Sequence, residues 1–107
     1  MYPLGAMSAR IPLDRQKISE FCRNNRIRRL ALFGSAIRDD FTEDSDVDFL
    51  VEFEPDGIPG FIGLAAMELE LSRFLGGRRV DMNTAQSLST DFRARVESEA
   101  EVQYEAA

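Results

Sequence analysis

The chain has 107 residues, 44% of them hydrophobic, the size of one compact domain with a real core. Thirteen basic residues against nineteen acidic ones leave a formal charge of −6, which lacks the footprint of a general nucleic-acid binder and makes DNA and RNA poor candidates for the main partner. With no histidine and one cysteine, Ser-His-Asp and Cys-His schemes, His-rich zinc sites and an intrachain disulfide are excluded, so any chemistry must run on carboxylates, hydroxyls and a hard metal.

Residues 1–11 show no convincing periodicity and no signal-peptide core, and are expected to form a flexible tail, with Met7 an equally good natural start. The apolar stretches are too short to span a membrane, so a soluble, cytoplasmic setting is expected. Pro12-Leu13-Asp14 reads as a helix start, and Ile18, Phe21 and Cys22 recur at helical spacing until Asn24-Asn25 offer a left-handed stop. Cys22 then reads as a buried structural thiol. Arg28 to Phe33, ending at Gly34, fits a buried strand followed by a tight turn. Ala36 to Asp40 is one helical turn, Thr42 to Ser45 a polar loop, and Val47 to Glu54 a second strand closed by the turn residues Pro55-Asp56-Gly57. Leu64, Met67, Leu71 and Phe74 mark an amphipathic helix over Phe61 to Leu75, stopped by Gly76-Gly77, whose Glu68, Glu70 and Arg73 read as a solvated face. Val80 to Asn83 is a third strand. Leu88, Phe92, Val96, Ala100 and Tyr104 recur every fourth residue and predict one final helix capped by Ser89. The order is helix, strand, short helix, strand, helix, strand, helix: one α/β domain over 1–107, a small sheet covered by helices.

The chemistry concentrates around Asp46 and Asp48. In a strand both carboxylates emerge on one side, with Val47, Phe49, Val51 and Phe53 on the other and the two α-carbons roughly 6.5 to 7 Å apart. Two acids on one strand face repel unless a cation sits between them, and Mg²⁺ is the expected one. A calcium loop counted from Asp44 fails, because Phe49 falls where glycine is needed and Pro55 where glutamate is needed. A solvated strand end is the plainer alternative, and Asp81 weighs against it as a third acid on a short apolar strand, able to reach the same face if the strands are neighbours. Gly34-Ser35 has two readings: a simple cap on the next helical turn, or a turn whose backbone admits a phosphate to a helix N-terminus. No lysine follows the serine, so it is not a Walker-type loop. Three carboxylates around paired Mg²⁺ ions suit in-line transfer from a nucleoside triphosphate, with Asp46 and Asp48 bridging and Asp81 completing the activating ion's site and accepting the hydroxyl proton.

The run Leu32-Phe33-Gly34-Ser35-Ala36-Ile37-Arg38-Asp39-Asp40, continued by Asp44-Ser45-Asp46-Val47-Asp48-Phe49-Leu50-Val51 and the later Val80-Asp81, resembles the signature of the polymerase-β-type nucleotidyltransferase superfamily in its minimal (MNT) branch. The resemblance spans about Pro12 to Tyr104. It implies a mixed sheet with flanking helices, binding of ATP and Mg²⁺, and transfer of a nucleotidyl group to a hydroxyl. It further implies that Gly34 and Ser35, with Ser45 in the same signature, contact the nucleotide, and that Asp46, Asp48 and Asp81 bind metal. Asp39 stands where many members carry glycine, and Arg38 has two readings, a phosphate ligand or a partner of Asp39, Asp40 or Asp44. Minimal members resemble antitoxins that adenylylate a HEPN-domain toxin on tyrosine. The implied function is AMP transfer to a partner protein. Two alternatives stand beside it: an inert antitoxin acting by occlusion, and a small-molecule nucleotidyltransferase completed by dimerisation. Arg26, Arg28, Arg29, Arg78 and Arg79 read as solvated strand flanks, and Tyr104 as a core residue.

Overall fold

The computed structural model describes residues 13–37, 42 and 44–106. The expected N-terminal tail and Arg38 lie outside them. Helix α1 spans Arg15–Asn24 and starts where Asp14 accepts hydrogen bonds from the Gln16 and Lys17 amides, at 3.0 and 3.2 Å. Its stop differs from the expected one. The left-handed residue is Arg26 (φ 58°), because Asn25 instead uses its side-chain amide to donate to the Phe21 carbonyl at 2.8 Å. The Arg26 guanidinium pairs with Asp56.

Strand β1 (Ile27–Phe33) leads into a 3₁₀ turn at Gly34–Ile37, and β2 (Val47–Phe53) returns antiparallel to it. Helix α2 (Phe61–Phe74) follows, ending at Gly76 and Gly77, which both take positive φ. Strand β3 (Val80–Asn83) lies parallel to β2. A second 3₁₀ turn (Ala85–Ser87), helix α3 (Thr90–Glu99) and strand β4 (Glu101–Glu105) complete the order. The sheet runs β3-β2-β1-β4 and is mixed, β4 pairing antiparallel with β1.

The final element departs from expectation: the helix stops at Glu99, Ala100 turns extended, and residues 101–105 form a strand. The physical reason is arithmetic. Positions that repeat every fourth residue also satisfy a period of two, so Val96, Ala100 and Tyr104 cannot tell a helix from a helix that turns into a strand. The outer edge of β1 decides it, since the strand's backbone groups need partners and β4 supplies them opposite Leu30 and Leu32, both fully buried. Tyr104 still packs against the main core.

The two sheet faces carry different cores. Leu30, Leu32, Val47, Phe49, Val51, Val80 and Met82 join Ile18, Phe21 and Cys22 of α1 and Met67 and Leu71 of α2 in the larger cluster. Ala31, Phe33 and Leu50 form a smaller one with Val96 of α3 on the opposite face. Cys22 sits wholly inside, and burial pushes its thiol up to about 12, so it is the inert structural thiol expected. Among the described residues no helix is long and apolar enough to cross a membrane.

Phe49 is fully buried between β1 and β3 in the larger core. Phe49→Ala should cost about 3–5 kcal/mol, read as a lowered urea midpoint at unchanged slope.

Candidate active site

The sheet assembles the acids. Asp48 lies on β2 with its side chain on the face of Leu50 rather than of Val47 and Phe49, and Asp81 is its register partner on the parallel neighbour β3. The strands are therefore adjacent, as the sequence reading required, and β3 alternates as expected, with Val80 and Met82 buried and Asp81 exposed. Asp46 precedes β2 and is half-buried; Arg79 approaches it at 3.9 Å, an exposed pair of little energetic weight. Among the described residues no three acidic or thiol side chains stand close enough to form a ready-made cation cage. What the strands fix is the shared face and the register.

The electrostatics of this face are unbalanced. The Asp48 carboxyl is raised from 3.8 to about 6, first by burial and then by the charges of Asp81 and Asp46. An oxygen-only donor set carrying excess negative charge suits a hard divalent ion such as Mg²⁺, which would restore the ionised form. The residues present therefore fit that cation.

Gly34 closes the site from the other side. It follows Phe33, the residue opposite Asp48, and takes a φ of +73°. A β-carbon there would come within 2.6 Å of the Asp48 carboxylate, so both the backbone and the space demand glycine. Ser35 belongs to the 3₁₀ turn that begins at Gly34. The Ser45 hydroxyl is engaged within its own loop: it accepts from the Thr42 amide at 3.0 Å and bonds the Thr42 hydroxyl at 3.2 Å. Arg78 ties this loop to the approach of β3 by donating to the Thr42 carbonyl at 3.0 Å, so Ser45 is placed as a brace for the segment that presents Asp46.

Sequence reasoning missed Glu68. It reads as part of a solvated helix face, yet its carboxylate accepts the Met82 amide at 2.9 Å, occupying a hydrogen-bonding position on the outer edge of β3. Its only sequence signal is an acid next to Met67 and one turn of helix before Leu71. Arg29 likewise differs from a solvated flank, for its Nε is buried with no hydrogen-bond partner among the described residues.

The family model described as Polymerase beta, Nucleotidyltransferase matches residues 16–107. The chain belongs to this family. It is similar to the protein adenylyltransferase MntA of Thermococcus cleftensis, 41% identical over 60% of this chain and 62% of that protein, so the chain spans less than two thirds of that relative. Among solved structures it resembles a candidate minimal nucleotidyltransferase, at 34% identity over 80% of this chain and 85% of the other with a TM-score of 0.67. A toxin-antitoxin structure with AMP-PNP shares the fold at TM-score 0.71 and 23% identity, covering 88% of this chain and 75% of that one. The nucleotidyltransferase fold with its mixed sheet is thus established for this chain.

Two outcomes test the site. The folded-state value of Asp48 lies above its ordinary 3.8, so the folded protein takes up the proton first and stability falls as pH rises through about 6. In a chelator, Asp48→Asn should raise the thermal midpoint at pH 7.5 and lose that advantage below about pH 4. Gly34→Ala should cost at least about 1–2 kcal/mol from the left-handed backbone alone, measured by denaturant unfolding.

Proposed function

We propose that this chain is a Mg²⁺-dependent cytoplasmic nucleotidyltransferase that moves AMP from ATP onto a hydroxyl of a partner protein, as the antitoxin of a HEPN-type toxin. The observation that carries the reading is the in-register pairing of Asp48 with Asp81 on adjacent strands, beside a glycine whose missing side chain makes room at the Asp48 carboxylate. Family membership makes nucleotidyl transfer the reaction class, and the similarity to MntA and to a toxin-antitoxin structure supports the protein acceptor. The surface supports it too. Ile58, Phe61, Ile62 and Leu69 are 65–90% exposed, an apolar display suited to a protein partner.

In this reading Asp46, Asp48 and Asp81 hold Mg²⁺. Bound Mg²⁺ neutralises the triphosphate and makes the acceptor hydroxyl more acidic. Gly34 leaves the backbone open for the phosphates, and the amides of the turn that starts there can donate to them; Ser35, and by family resemblance Ser45 and Arg38, belong to the nucleotide side. Asp81, more exposed than Asp46 and Asp48, would accept the proton of the incoming hydroxyl. The acceptor oxygen then bonds to the α-phosphorus as the α–β bridging bond breaks, and pyrophosphate leaves in line.

The purified chain, mixed with α-labelled ATP, Mg²⁺ and its toxin, should label the toxin, and Asp46→Ala/Asp48→Ala should lower the rate by at least about 100-fold. A wild type that transfers no label, with neutralisation undiminished in the double variant, would mean inhibition by occlusion. Label on a metabolite in the absence of the toxin would mean a small-molecule acceptor.

A further inference from the structure

A concavity of about 520 Å³ opens on the same sheet face as the acids. Its floor is Ala31 and Leu50, and its walls include Arg29, Ile58 and Glu97, with Thr84 at the β3 end. Leu50 is the next residue after Asp48 on that face, so the cleft begins roughly 6.5 to 7 Å along the strand from the central acid. Gly34 lies on the other side of Asp48, past Phe33 at the opposite end of the β1 pairing. The three stand in sequence along the strand axis: glycine turn, acid, cleft.

That order assigns the cleft, given the transfer reaction proposed above. In-line displacement requires the attacking and leaving oxygens on opposite sides of the reacting phosphorus. With pyrophosphate departing toward the Gly34 turn, the attacking hydroxyl arrives from the Leu50 side. We propose that the cleft holds the acceptor segment of the partner protein: an extended stretch whose hydroxyl residue reaches Asp48 and Asp81 while an apolar side chain two positions away fills the space over Ala31 and Leu50.

The spacing matches, since alternate residues of an extended peptide repeat at the same 6.5 to 7 Å or so that separates Asp48 from Leu50. The lining matches as well. An apolar floor takes an aliphatic or aromatic side chain, and the exposed Glu97 favours a basic residue beside it. A protein occupant also accounts for the wall: Ile58 is 70% exposed there, an apolar side chain that the partner segment would cover.

The test is the double variant Ile58→Glu/Glu97→Lys, both positions exposed, with the thermal midpoint as a folding control. Transfer from labelled ATP to the purified HEPN-type toxin should show a KM for toxin raised at least about tenfold, with the KM for ATP within about twofold of the wild type. Calorimetry with toxin and a non-hydrolysable ATP analogue should show the same loss of toxin affinity. A raised KM for ATP with the toxin value unmoved would place the nucleobase in the cleft and overturn the proposal. Equal values for both substrates would remove the cleft from the reaction. If the wild type transfers nothing, the enzymatic reading fails on its own, and calorimetry still decides the docking: an unchanged toxin affinity in the variant overturns it.

Discussion

Like-charge repulsion held in place by a hydrogen-bonded sheet is the interaction on which this molecule turns. Asp48 and Asp81 are opposed across a parallel ladder, Asp46 lies one alternation back, and the Asp48 carboxyl is raised to about 6, first by burial and then by these two charges. Among the described residues the exposed Arg79 contact to Asp46 sets a positive charge against this group. The cost is carried by the opposite face. There, Val47, Phe49, Val80 and Met82 pack into the larger core, so moving either acid off the shared face would expose residues now sealed from water. The core fixes the register, and the register places the acids.

The supports around the acids act on backbone rather than on charge. Gly34 permits close approach to Asp48, the Thr42–Ser45 bonds and the Arg78 contact hold the loop that presents Asp46, and Glu68 braces the edge strand that carries Asp81. These partners come from different elements, so the geometry depends on the whole fold being in place. A site that rests on several elements is also one whose surroundings can be broken far from the acids. Glu68, on a helix across the sheet edge, is the clearest example.

The two faces of the sheet have divided tasks. One is filled by α1 and α2 and supplies most of the hydrophobic stabilisation; the other is only partly covered by α3 through Val96, leaving the acids and the apolar cleft accessible. The same partial coverage leaves Ile58, in the cleft wall, exposed to water.

Much of this was legible from residues alone, because the decisive signals are local. Alternation put Asp46 and Asp48 opposite an apolar stripe, Asp14 and the paired glycines marked helix ends, and the missing histidine narrowed the chemistry to carboxylates and a hard ion. The Gly-Ser and Asp-x-Asp spacing carried the family resemblance, and the family match bears it out. What depends on distant partners was not legible. A spacing of four serves helix and strand alike, so only the unpaired edge of β1 could make residues 101–105 a strand. Asp81 could be chosen as a third acid but not seated, because strand adjacency and register arise from packing between segments some thirty residues apart. Glu68 and Arg29 look like surface charges until the fold brings Met82 and the cleft to them. The sequence determined which side chains are available and which way each strand presents them; the tertiary structure alone decided which of them meet, since contact across a sheet is set by long-range burial rather than by local period.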